Sequence, residues 1–258
     1  MDQASAFPVD PSRTKVIACA TVVEEMVSFM PPEMDREVMD FGLHMHPRSL
    51  TEALQERIDA SVGYDYILLG YGLCSNAVVG LVATTAALVI PRVDDCIAIF
   101  LGSKDAYRDQ VRGEPGTYYL TKGWIEVGDT PLHAQGRLVE TYGEARAARM
   151  IGLMLRNYRR LAFINTGTYD LERYRAWSRE AADRFGLRFE EIEGAPTLVE
   201  KLLFGPWDEE CLVVPRGETM QLEPFIESSG AAGGLPCMPS QAQASAAFRQ
   251  PAAAFRGS

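Results

Sequence analysis

Three cysteines, Cys19, Cys74 and Cys96, each follow a short apolar run that reads as a strand: residues 15–18 (KVIA), 66–69 (YILL) and 87–90 (ALVI). In open α/β sheets the carboxyl ends of the strands line the ligand crevice, so thiols delivered from three strand ends can meet there although they are far apart in sequence. Such a trio suits a metal ion, an iron–sulfur cluster or a thiol-based active site. The close Cys-x-x-Cys pairs of structural zinc sites are absent, as are the ferredoxin spacings. What remains is a dispersed three-thiolate set, with His44 or His46 as the candidate fourth ligand. Three protein ligands and one open position is the pattern of a catalytic or ligand-exchanging centre, and soft thiolates select zinc or iron–sulfur.

Each cysteine also has an ordinary reading, because free cysteine often packs as a small hydrophobe. Cys211 opens an apolar run (CLVV) and reads as packing, and Cys237 lies in an Ala/Ser/Gly/Pro/Gln-rich tail and reads as incidental. Cys74 differs, since it sits in the turn-rich stretch Gly70-Tyr71-Gly72-Leu73-Cys74-Ser75-Asn76, where burial brings a small hydrophobe little. Cys96 follows Asp94 and Asp95 at a predicted helix start, where free N–H groups lower a thiol's pKa and the two carboxylates oppose them. A second reading needs no metal: Cys74 is the nucleophile, Asp95 or His44 its base, and Arg92 grips the carboxylate or phosphate of a small anionic substrate. In a third, the protein binds a small ligand without catalysis. Gly70-Tyr71-Gly72 lacks the G-x-G-x-x-G register of a dinucleotide loop. Asn165-Thr166-Gly167-Thr168 precedes a helix and reads as a capped turn, or else an anion site.

The elements that must position these residues form an α/β pattern. Strands are predicted at 14–20, 37–43, 64–69, 87–90 and 116–121, with helices at 22–30, from Ser49, and after Asp94 or Asp95. His44 and His46 alternate at the end of the second strand and so face opposite ways; His133 reads as an exposed loop residue. The second half alternates helix 143–158, strand 161–164, a helix capped by Asp170 and stopped by Gly186, strand 187–192, helix 197–204 and strand 211–214. That rhythm predicts a doubly wound, mainly parallel sheet, in two lobes around a cleft. The expected boundaries are a loose arm at 1–13, an N-terminal lobe at 14–140, a C-terminal lobe at 141–220 and a disordered tail at 221–258. Arg146, Arg149, Arg156, Arg159 and Arg160 read as a solvated or partner-facing helix face.

Composition narrows the class. The chain has 258 residues, 47% of them hydrophobic, with a formal net charge of −10. That balance argues against non-specific nucleic-acid binding, and no apolar run reaches the length of a membrane span. The opening residues lack the basic and apolar regions of a secretory signal, which predicts a cytoplasmic protein with reduced thiols.

The YGLCSN stretch at 71–76, the Pro91-Arg92-Val93-Asp94-Asp95-Cys96 stretch and the GTYYLTKGW stretch at 116–124, with Ala18-Cys19 and Leu43-His44, resemble a prokaryotic family known only as a domain of unknown function. The resemblance runs over roughly residues 14–220. It implies family membership and an association with gene neighbourhoods of corrinoid-dependent methylamine methyltransferases, hence a corrinoid protein or methyltransferase as partner and a role in one-carbon metabolism. It carries no settled activity. The positions that match its motifs are Cys19, His44, Cys74, Arg92, Asp95, Cys96, Tyr118 and Trp124. Asn76, Tyr118 and Trp124 are then expected cofactor contacts. His46 lies outside the pattern, which favours His44 as the fourth ligand.

Overall fold

The structure is a computed structural model that describes residues 9–227 other than Ser75, Asp129 and Thr168. Its first sheet takes strands β1 (Thr14–Cys19), β2 (Asp35–Met39), β3 (Tyr66–Gly70) and β4 (Ala87–Pro91) in the order β2-β1-β3-β4, all parallel. The central strands are apolar without alternation: Val16, Ile17, Ile67, Leu68, Leu88 and Val89 are fully buried. That is the signature of a parallel sheet covered on both faces. The second sheet is β5 (Thr117–Leu120), β6 (Arg160–Asn165) and β7 (Arg188–Glu193), again parallel. The mainly parallel α/β class expected from the sequence is what the chain adopts. No helix among the described residues is long and apolar enough to cross a membrane.

The two sheets do not divide the chain at residue 140. Strand β5 precedes that point yet pairs with β6. The last strand, β8 (Cys211–Val214), crosses back to pair antiparallel with β4 and closes the first sheet. The physical cause is α9 (Thr197–Phe204), whose buried Leu198, Val199, Leu202 and Leu203 pack on β3, β4 and α3 (Cys96–Leu101). A helix seated on the first sheet leaves the strand after it beside β4, where backbone donors and acceptors are open.

Several local expectations shift. The first helix is α1 (Ala20–Met26), and α2 (Pro47–Ala60) buries Leu50, Leu54 and Ile58 as the apolar stripe predicted. Past β2 the chain turns into a 3₁₀ turn, Phe41–Met45, capped by Asp40, so His44 lies in a turn and not at a strand end. Residues 9–13 are held, since Asp10 caps a short turn and Arg13 pairs with Asp65. Residues 221–227, placed in the tail by composition, carry α10 (Glu223–Glu227) with Phe225 buried. Cys237 and the remainder of the tail lie outside the described residues. The later helices are α4 (Lys104–Gly113), α5 (Lys122–Glu126), α6 (Pro131–Tyr142), α7 (Glu144–Leu155) and α8 (Leu171–Phe185). His133 is exposed as predicted but stands on α6, and Arg160 is buried on β6 rather than on a helix face.

Candidate functional site

Strand order decides where the thiols go. From β1 the chain moves outward to β2, then returns past β1 to β3 and β4, so direction reverses between β1 and β3. The crevice at such a switch point, outside the carboxyl ends, is where open α/β sheets bind ligands. Cys19 ends β1 and caps α1, Cys74 lies in the loop after β3, and Cys96 opens α3 after β4. The carboxyl ends of three adjacent strands therefore supply the three thiols.

The thiols share one electrostatic environment. Cys19 and Cys74 both push up the Cys96 thiol pKa, Cys19 pushes up that of Cys74, and all three push up the Tyr71 hydroxyl; burial is the largest cause in each case. The Cys19 thiol is also raised by burial, with partial offset from the Thr21 hydroxyl, 3.4 Å from its sulfur, and from the first amides of α1. The carboxylate of Asp95 adds to the rise at Cys74 and Cys96. Without a cation among them, all three are neutral thiols at physiological pH. This bears on Cys74 as nucleophile: a thiol only 8% exposed and raised by burial lacks the depressed pKa and access that attack requires.

Close backbone approaches set the loops. The Cys74 N–H donates to Asp94 O at 3.2 Å and Leu73 N–H to Val93 O at 2.9 Å, zipping the Cys74 loop to the Cys96 loop. Gly72 permits it, since a Cβ there would stand 2.8 Å from Val93 O and 2.9 Å from the Asp95 backbone. Cys74 itself has φ +46°, a left-handed conformation that costs a non-glycine residue about 1–2 kcal/mol. The next left-handed residue, Asn76 at φ +65°, is exposed. Gly123 has the same role between helices: its missing Cβ would fall 2.6 Å from Thr21 O, so α5 lies against the first turn of α1 and carries Trp124 to the thiols.

Around the thiols stands an aromatic wall that the sequence reading largely missed. Phe41 meets Trp124 edge-on at 4.9 Å and His44 at 5.6 Å, and His44 meets Tyr71 at 5.7 Å. His44 Nε2, the Tyr71 hydroxyl and Trp124 Nε1 are buried with no hydrogen-bond partner among the described residues. The Trp124 indole still lies near enough to Cys96 to favour its thiolate. Burial lowers the His44 pKa to about 4, so the ring is neutral, the state a metal ligand requires. His46 is exposed.

Asp95 caps α3, accepting the Ile97 N–H at 2.7 Å, and burial raises its pKa to about 6. On its other side it raises Tyr107, Tyr119 and Tyr158. Tyr119 packs edge-on against Tyr107 at 6.1 Å. Tyr118, on the neighbouring position of β5, packs edge-on against Tyr158 at 5.3 Å and lines an apolar interior with Leu155 and Trp177. Arg92 is committed to backbone carbonyls, with Nε on Pro224 O at 2.9 Å and Nη1 on Glu209 O at 3.1 Å. Asn165 accepts the Gly167 N–H and Thr166 donates to Glu25, so a carboxylate already stands where an anion was expected. Cys211 is buried packing.

As placed, no group of three or more His, Cys, Asp or Glu side chains among the described residues could hold a metal ion. A family model described as "Protein of unknown function (DUF1638)" matches residues 38–203, more than half of the chain, and the chain belongs to that family. The match contains His44, Cys74, Arg92, Asp95, Cys96, Tyr118 and Trp124; Cys19 precedes it. No curated protein and no solved structure matches the chain.

Proposed function

We propose that Cys19, Cys74 and Cys96 hold an iron–sulfur cluster with one open corner, which His44 or an exogenous ligand completes. The observation that carries this reading is the placement of the three cysteines at or just after the carboxyl ends of the adjacent strands β1, β3 and β4, at the switch point of the sheet. Thiolates around one tetrahedral zinc stand about 3.8 Å apart at Zn–S of about 2.3 Å, and the thiols here are not gathered for a single ion. A cluster spreads its thiolates over separate irons and needs wider spacing. The orphaned donors fit it too. A buried donor without an acceptor costs about 1–3 kcal/mol, and cluster sulfur would accept from the Trp124 N–H and the Tyr71 O–H; such hydrogen bonds tune a cluster's potential.

The role proposed is redox or ligand exchange, and the resemblance to proteins encoded beside corrinoid-dependent methyltransferases suggests one-carbon metabolism. The alternative, Cys74 as a metal-free nucleophile, draws on Asp95 as a base with a pKa of about 6. Protein expressed and purified without oxygen, or reconstituted with iron and sulfide, is expected to carry stoichiometric iron and a broad visible absorption. Cys19→Ser, Cys74→Ser and Cys96→Ser should each lose most of the iron, with double variants adding little, because ligands of one centre act as a unit. Colourless, iron-free protein after reconstitution would sink the cluster reading. Alkylation confined to Cys74 with loss of an activity would favour the alternative.

A further inference from the structure

On helices α2, α4 and α8, arginines pair with carboxylates of the same helix. Arg48 meets Glu52, Arg108 and Arg112 meet Asp105 and Asp109, and Arg175 and Arg184 meet Glu172 and Glu180, each at i,i+3 or i,i+4. Such pairs satisfy an exposed helix face from within. Helix α7 differs. Residues 145–169 hold five arginines and no aspartate or glutamate, in a chain of net charge −10. Arg160 is engaged inside by Glu114 and Glu190. Arg146, Arg149, Arg156 and Arg159 are exposed, and none has an ion-pair partner among the described residues. Arg146 lies 6.0 Å from the Tyr142 ring centroid. The nearest acids along the chain, Glu140 on α6 and Glu144 in the first turn of α7, are exposed and pair with none of the four.

The unpaired arginines share one face. At about 100° and 1.5 Å per residue, Arg146, Arg149, Leu153 and Arg156 fall within about 80° of arc along about 15 Å of helix. That arc is opposite the buried Ala147, Ile151 and Leu155. Leu153 is 56% exposed between Arg149 and Arg156, with Met150 and Met154 half-buried beside it. A Cβ at the adjoining Gly152 would meet nothing within 4 Å, so no described residue lies over that turn. Protein interfaces gather arginine and methionine around an apolar centre and leave out lysine, aspartate and glutamate. The stretch from Ala145 to Arg156 has that composition.

We propose that the outer face of α7 docks an acidic helix of a partner protein, with carboxylates against Arg146, Arg149 and Arg156 and an apolar side chain on Leu153. A second copy of this chain fits less well, because a two-fold contact through α7 sets arginine against arginine. Nucleic acid is repelled by the net charge, and insertion into an anionic membrane takes a broader apolar face than one leucine. The proposal does not depend on whether the thiols hold a cluster.

The test is a fluorescence-anisotropy titration of the full chain against a labelled, alanine-based helical peptide of about sixteen residues, with one central leucine and glutamates three and four residues to either side. The peptide is expected to bind saturably at one equivalent, more weakly as salt rises. Arg149→Gln combined with Arg156→Gln should weaken binding about tenfold. Leu153→Ser should weaken it about threefold, a loss that a purely ionic contact would not show. Arg184→Gln, on α8 where the side chain already pairs with Glu180, should leave the affinity unchanged. No binding at millimolar peptide, or an equal loss with Arg184→Gln, would overturn the proposal. Tighter binding to duplex DNA or to phosphatidylserine vesicles would also overturn it, as would a sedimenting dimer that the double arginine variant dissolves.

Discussion

Asp95→Asn is expected to make the metal-free protein more stable at neutral pH, and only there. The side chain is buried at the N-terminus of α3, and its pKa stands at about 6 against an unfolded value of 3.8. A raised carboxyl pKa means that the folded state binds the proton more tightly. The resulting stability is complete below the unfolded pKa and is lost as pH rises through the folded one. At about 1.36 kcal/mol per pKa unit, the charged form of Asp95 costs the fold about 3 kcal/mol at pH 7. Asparagine caps helices as well as aspartate and can accept the Ile97 N–H through Oδ1. The variant removes the charge and keeps the cap. Urea denaturation of both proteins should therefore give nearly equal stabilities close to pH 4. The difference should grow between pH 4 and 6 and level off near 3 kcal/mol, or about 6–12 °C in Tm for a chain of this size. Because Asp95 also raises Cys74 and Cys96, both thiols should alkylate at lower pH in the variant. A stability difference that does not change with pH, or an asparagine variant less stable at pH 7, would refute the buried-charge reasoning.

Two further substitutions probe the scaffold. Gly123→Ala puts a Cβ 2.6 Å from Thr21 O and 2.9 Å from Thr21 Cα, both backbone atoms that cannot swing away. Overpacking of about 1–3 kcal/mol should outweigh the roughly 1 kcal/mol that alanine contributes in a helix; Gly152→Ala on α7, with nothing within 4 Å, should instead stabilise. Equal Tm shifts for the two glycines would show that α5 does not press on α1. Arg160 is 5% exposed and bonds Thr117 and Gln110 at 2.8 Å, with Glu190 at 3.3 Å and Glu114 at 3.8 Å. Arg160→Ala should cost about 3 kcal/mol, the low end for a broken buried pair because Arg188 still serves both glutamates; a loss under about 1 kcal/mol would mark the cluster as no stronger than a surface pair.

The sequence by itself determined which residues end strands and which start helices. Apolar runs and capping residues are local signals, so Cys19 ends β1, Cys74 lies in the loop after β3 and Cys96 opens α3 after β4, each after its apolar run. The stop at Gly186 and the stripe Leu50, Leu54, Ile58 are equally local. Pairing between strands is not local. Nothing in CLVV says that it runs antiparallel to β4, because that depends on where α9 finds apolar surface. Likewise β5 reads as a strand without showing that β6 is its neighbour. The thiol site divides the same way. Its cysteines are visible as types in a pattern, but their convergence needs β1, β3 and β4 to be adjacent. Phe41, Thr21 and Tyr71 reach the site through a 3₁₀ turn, a helix start and a loop, none with a periodic signature. Arg92 marks the limit of residue type: the sequence offered a free guanidinium for an anion, and tertiary contacts commit it to Pro224 and Glu209 carbonyls. Protonation states follow burial, a property of the whole packed molecule. Asp95 near pH 6 and His44 near pH 4 could be known only once their neighbours were in place.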